Sequence, residues 1–91
     1  MYLHLGQGSV VPRGDVVGIF DLDGVSRSGL SRDFLARAQR DGLVTTVDEE
    51  ELPASFVLCR ADGRTRVFLS PITAATLAKR ARETFPLTAA Q

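Results

Sequence analysis

The sequence predicts a small α+β domain: about six short strands forming an antiparallel sheet, with two short helices, in the order β-β-β-α-β-β-β-α. Three observations carry that prediction. The apolar runs 56–59 and 67–69, rich in β-branched and aromatic residues, flank Asp62-Gly63, a pair suited to the two positive-φ positions of a type I′ hairpin turn. Ala74, Leu77, Ala78, Ala81 and Phe85 recur at the spacing of one helix face, with Lys79, Arg82 and Glu83 pointing elsewhere. Phe34, Leu35 and Ala38 define the apolar face of an earlier helix that ends at Gly42, the residue type favoured just past a helix end.

Taken in order, residues 2–5 alternate apolar and polar and predict a strand on which His4 faces away from Leu3 and Leu5. No serine, cysteine or second histidine lies near His4 in sequence, so it reads as a surface or interface residue rather than a catalyst. Gly6-Gln7-Gly8 is a turn, a short strand follows at 9–11, and Pro12-Arg13-Gly14-Asp15 is a second turn. The run 16–22 reads as a strand buried on both faces, with Gly18 admitting a neighbouring backbone. Asp21-Leu22-Asp23-Gly24-Val25 has the look of the aspartate signature of haloacid-dehalogenase phosphotransferases. Such an enzyme needs a far longer chain and further motifs, so the stretch is read as a strand end followed by an Asp-Gly turn. After a loop over 26–30, Ser31 is placed to cap the first helix, Asp33 to meet its dipole, and Leu30 and Leu35 to form a hydrophobic staple; Arg32, Arg37 and Arg40 face outward.

Residues 43–47 return as a strand, and the like-charged run Asp48-Glu49-Glu50-Glu51 must be exposed. A hairpin register centred on Asp62-Gly63 sets Arg60 opposite Thr65 and Cys59 opposite Arg66. Ser70-Pro71 closes the sheet, the serine as cap and the proline at the first helical position. Residues 86–91 read as a frayed tail, and both helices are expected on one side of the sheet.

A chain of 91 residues suits one domain, 1–91, without repeats or linkers. Its single cysteine, Cys59, sits in an apolar run and reads as a reduced, buried thiol of a cytoplasmic protein. No metal cluster is available in the sequence. No signal peptide is recognisable, and no run approaches the ~18 apolar residues of a membrane span. Net charge is zero but unevenly placed: residues 1–51 carry five arginines against nine acids, and residues 52–91 carry six basic groups against two acids. Either opposite faces of neighbouring subunits meet, or the basic half is reserved for a polyanion. The apolar strand surface exceeds what two short helices cover, which points to a homo-oligomer.

The stretches Met1-Tyr2-Leu3-His4-Leu5-Gly6, Val10-Val11, Asp15-Val16-Val17-Gly18-Ile19-Phe20-Asp21, Phe34-Leu35, Glu51-Leu52-Pro53-Ala54-Ser55-Phe56-Val57-Leu58, Leu69-Ser70-Pro71-Ile72-Thr73 and Thr76-Leu77-Ala78-Lys79-Arg80 together resemble the RemA/RemB family of small bacterial regulators of extracellular-matrix genes. The RemB (YaaB-like) branch is the most similar, over nearly the whole chain. The resemblance implies a cytoplasmic regulator, not an enzyme, that supports expression of biofilm matrix genes as a ring or dimer. The RemA branch looks like ring-forming proteins that bind double-stranded DNA through phosphate contacts and DNA bending. Where that branch carries an adjacent pair of arginines this chain has Glu51 and Leu52, and where it carries another arginine this chain has Asp15. Acids at those positions repel phosphate, so two readings stay open. DNA is bound by a different surface built from Arg13, Arg60, Arg64 and Arg66, or the acidic loop, Glu49, Glu50 and Glu51, docks a basic protein partner.

Overall fold

Residues 1–25 and 29–83, the part of the chain described by the computed structural model, form β1 (Tyr2–Gly6), β2 (Ser9–Pro12), a 3-10 turn (Arg13–Asp15), β3 (Val16–Asp21), α1 (Leu22–Val25), α2 (Gly29–Arg40), β4 (Val44–Thr46), β5 (Ser55–Ala61), β6 (Arg64–Ser70) and α3 (Ala74–Glu83). The α+β class and the six strands are as the sequence predicts, but the strands form two sheets. β1 and β2 make a separate ribbon, and the others form one sheet in the order β3-β5-β6-β4. The β5–β6 hairpin keeps the expected register, Arg60 opposite Thr65 and Cys59 opposite Arg66, around Asp62 and Gly63 at φ 53° and 76°. One pair departs from the antiparallel expectation: β4 runs parallel to β6. The chain leaves β3 at one edge and returns at the other through α2, the kind of helical crossover that a parallel neighbour requires.

Strand alternation in β5 then dictates the layers. Phe56 points to one face of the sheet and packs with Val67 and with Ala38 and Leu35 of α2; Val57 and Cys59 point to the other and pack with Leu3, Leu5, Val11 and Leu77. The helices therefore lie on opposite faces, not on one side as expected. Periodicity identifies a helix's apolar face without saying which side of a sheet receives it.

The strand buried on both faces is β5, not β3. β3 is an edge strand with Val17 63% and Phe20 38% exposed. Gly18 makes room not for a neighbouring backbone but for the Phe20 ring, which a Cβ at position 18 would meet at 2.7 Å.

Local signals also move. α2 begins at Gly29, ahead of Ser31, and Leu30 is 87% exposed, so the expected cap and staple do not form. Its C-terminus is as read. Gly42 adopts φ 73°, its N–H bonds the Gln39 carbonyl at 3.1 Å, and the Leu43 N–H bonds the Ala38 carbonyl at 2.9 Å, a Schellman closure. The Asp-Gly turn expected after β3 is a helical turn, α1, whose Asp23 N–H bonds the Asp21 carboxylate at 2.9 Å. α3 is capped by Thr73, whose Oγ1 accepts the Thr76 N–H at 3.3 Å, not by Ser70. Phe85, the expected tail at 86–91 and residues 26–28 of the loop expected over 26–30 lie outside the described residues.

Ser70 serves elsewhere. Wholly buried, its hydroxyl donates to the Leu5 carbonyl at 2.7 Å and accepts the Ile72 N–H at 3.1 Å, which ties the ribbon to the main sheet. Ser55, its cross-strand partner, is equally buried and donates to the Ile72 carbonyl at 2.7 Å. Ser70→Ala leaves a carbonyl and an amide in the interior without that partner, so urea unfolding should show a loss of about 1–3 kcal/mol. Ser70→Ala at full wild-type stability would mean that the joint contributes nothing.

Candidate nucleic-acid interface

Arg60, Arg64 and Arg66 are all exposed at the β5–β6 tip, but alternation splits them. Arg64 and Arg66 share the face of Cys59, and Arg60 shares the opposite face with Thr65. Two are held in place: the Arg66 guanidinium lies 5.6 Å from the Phe68 ring centroid, and Arg60 donates to Thr65 Oγ1 at 2.9 Å. Arg13 is half-buried and donates to the Ala81 carbonyl at 3.3 Å, in the last turn of α3. Two residues on, Asp15 is near enough to Cys59 to influence its thiol, as Arg66 does. The 3-10 turn thus abuts the face that carries Arg64 and Arg66. The turn of α3 that Arg13 meets also carries the exposed Arg80 and Arg82. Sequence reasoning did not join these two to the set; the basic surplus of residues 52–91 was the available signal.

The acidic loop stands at the other end of β5. Val47 N–H bonds the Leu69 carbonyl and Ala54 N–H bonds the Ser70 carbonyl, so residues 48–53 leave and rejoin the sheet at the end of β6 remote from the tip. A seven-residue strand makes that separation on the order of 20 Å. Asp48 is spent on the loop itself, its carboxylate accepting the Glu50 N–H at 3.0 Å, whereas Glu49, Glu50 and Glu51 are exposed. The positions at which the resemblance places arginines in the RemA branch, Asp15 and Glu51-Leu52, consequently lie at opposite ends of the sheet.

His4 is exposed, as predicted, and lines a hollow of about 620 Å³ with Tyr2, Gly6, Ile72, Arg80 and Glu83. None of the hollow's lining residues belongs to the hairpin tip. Among the described residues no three His, Cys, Asp or Glu side chains gather as a metal site, and no helix is long and apolar enough to cross a membrane.

Cys59 is 4% exposed, packed among Val57, Leu3 and Leu77. Burial pushes its thiol above the ordinary value, the Asp15 carboxylate adds to the rise, and the Arg66 guanidinium opposes it.

Fold and surface together define a small three-layer α+β domain that displays arginines at one end of its central hairpin and glutamates at the other. A scan against protein-family models finds no match. The chain is 34% identical over 87 residues, 96% of its own length and 98% of the relative's, to extracellular matrix regulatory protein B of Bacillus subtilis (strain 168). It belongs to the extracellular matrix regulatory protein B family, the RemB-like branch that the sequence resembles.

Because the thiol of Cys59 is raised, the unfolded chain ionises first as pH climbs. The thiol's contribution to stability is complete below the unfolded-state value and is lost as pH rises through the folded-state one. Iodoacetamide should modify the native protein far more slowly than the urea-unfolded protein at the same pH, and Cys59→Ala should lose less stability on the alkaline side than wild type. Equal alkylation rates would contradict the burial.

Proposed function

We propose that the protein is a cytoplasmic, non-enzymatic regulator of extracellular-matrix gene expression, as for the biofilm matrix, that acts as an oligomer on double-stranded DNA. The observation that carries this reading is the placing of Arg64 and Arg66 on one face of the hairpin tip, with the acidic loop on the order of 20 Å away and Arg13 seated on the last turn of α3. That separation answers the repulsion that Glu51 and Asp15 would exert at the positions used by the RemA branch: Glu51 is remote, and Asp15 is outnumbered by arginines. Arg60 adds charge on the other face of the tip, and α3 carries Arg80 and Arg82. Exposed arginines at such a tip suit phosphate contacts more than base reading.

The second reading, an oligomeric module that docks a basic protein partner, is favoured by the acidic loop. Its backbone is fixed by Asp48, and among the described residues none of Glu49, Glu50 and Glu51 forms an ion pair.

Sedimentation with a duplex of about 30 base pairs tests the first reading. Co-sedimentation should weaken steeply with added salt. The Arg64→Gln/Arg66→Gln protein should bind at least tenfold more weakly and with a salt slope lower by about 1.8, two phosphates' worth. Unchanged affinity would remove the tip from consideration. For the second reading, Glu49→Gln/Glu50→Gln/Glu51→Gln should abolish capture of a basic partner while leaving DNA binding intact.

A further inference from the structure

The hollow that His4 lines is a cleft where β1 runs alongside α3. Alternation turns Leu3 and Leu5 into the core and leaves Tyr2 and His4 exposed on the other face of β1. On α3, Leu77 is the buried residue, and Arg80 and Glu83, neighbours at helical spacing, are exposed along one flank. Buried Leu3 and half-buried Ile72 give the cleft an apolar floor. At about 620 Å³ it lies within the ~300–1,000 Å³ of small-molecule sites.

The strand and the helix run in opposite directions. The end of β1 meets the start of α3: Ser70 Oγ holds the Leu5 carbonyl, and Pro71, against which Gly6 lies, leads through Ile72 toward the helix. The start of β1 meets the end of α3: Arg13, whose N–H bonds the Met1 carbonyl at 2.9 Å, reaches the Ala81 carbonyl. Glu83 therefore stands at the Tyr2 end of the cleft and Arg80 one turn back toward His4. The rise per residue of a helix and of a strand puts these two ends about 5–7 Å apart. One end carries the Arg80 guanidinium and the His4 imidazole, the other the Tyr2 ring and the Glu83 carboxylate. Among the described residues Arg80 forms no ion pair, whereas Glu83 lies 4.0 Å from Lys79. Glu83 is the one carboxylate among the residues that line the cleft.

We propose that this cleft binds a nucleoside monophosphate, with the phosphate at Arg80 and His4, the base against the Tyr2 ring and the ribose hydroxyls donating to Glu83. Each group suits its part. A guanidinium pairs with phosphate oxygens through two parallel N–H donors, an aromatic face stacks a base, and a carboxylate accepts from sugar hydroxyls. The arrangement also discriminates. Inorganic phosphate would use one end alone, a nucleoside without phosphate would leave Arg80 unpaired, and a longer phosphate chain directed along the cleft would run against Glu83. Arg80 and Glu83 are exposed, so salt screens their pull and the affinity is modest. None of the lining residues belongs to the hairpin tip, so the site is separate from the one proposed for DNA and does not depend on it.

The test is isothermal titration calorimetry of the protein with adenosine and guanosine monophosphate up to about 5 mM, near physiological salt. At least one nucleotide should saturate, with inorganic phosphate, ribose 5-phosphate and the unphosphorylated nucleoside each at least tenfold weaker. Arg80→Gln should weaken the nucleotide at least tenfold, and Tyr2→Ala should reduce it to the level of ribose 5-phosphate. Both substituted side chains are exposed, and circular dichroism with urea unfolding checks that the variants are folded. Tyr2→Leu, which keeps apolar bulk without the ring, serves where Tyr2→Ala is unstable. Arg64→Gln/Arg66→Gln should bind the nucleotide as wild type does. Saturation by neither nucleotide overturns the proposal, as does full affinity in Arg80→Gln. Inorganic phosphate binding as tightly as the nucleotide would mean an adventitious ion only, and loss of binding in the folded Arg64→Gln/Arg66→Gln protein would move the contact to the tip; either result overturns the cleft.

Discussion

Ser55 and Ser70 face one another across β5 and β6 with no exposed surface, and between them their hydroxyls reach the carbonyl of Leu5 and both backbone groups of Ile72. An aliphatic pair at these positions would fill the space and leave those groups without their partners, at about 1–3 kcal/mol each. The joint decides where the β1–β2 ribbon rests on the sheet, with Gly6 at φ 113° lying against Pro71, where a Cβ would come within 3.4 Å of the proline ring. Once the ribbon is seated, Leu3, Leu5 and Val11 complete the cluster that receives Leu77 of α3. The far end of α3 then meets Arg13. The contact of Arg13 with α3 thus depends in part on two neutral hydroxyls in the main sheet.

Local chemistry was the legible part of the sequence. The hairpin and its register, the Gly42 closure, the facing of His4 and the exposure of the acidic loop follow from signals a few residues long, and each is found. Tertiary placement was not legible. An apolar run such as 16–20 reads alike whether its own chain covers it, as for β5, or leaves one side open, as for β3. Ser70 before proline has every mark of a helix cap, and only the arrival of Leu5 from 65 positions away gives its hydroxyl another acceptor. The candidate site divides the same way. Arg60, Arg64 and Arg66 were legible as a group because a hairpin fixes them, although alternation sends Arg60 to the other face. Arg80 and Arg82 lie on α3 beside Arg13, and the contact of Arg13 with Ala81 is visible only in the fold.

Charge separation within so short a chain needs a spacer, and β5 with β6 provides it. The four consecutive acids are attached where the chain passes from one strand to the next at one end of the sheet, and the arginines flank the turn at the other. A protein with no net charge in this way carries charge of opposite sign at the two ends of one hairpin.

The strand order has a consequence for synthesis. Both edge strands, β3 and β4, pair within the main sheet only with strands that come later in the chain, β5 and β6 respectively. A nascent chain that has emerged only as far as Val47 can close the β1–β2 ribbon and wind α2, but it has no sheet on which to lay either. Within the main sheet, the β5–β6 hairpin, built from adjacent residues, is the element that can form by itself and receive β3 and β4. The amino-terminal half therefore waits on the ribosome with its apolar faces uncovered, and the burden of keeping it from aggregating falls on the interval before Ser70 appears.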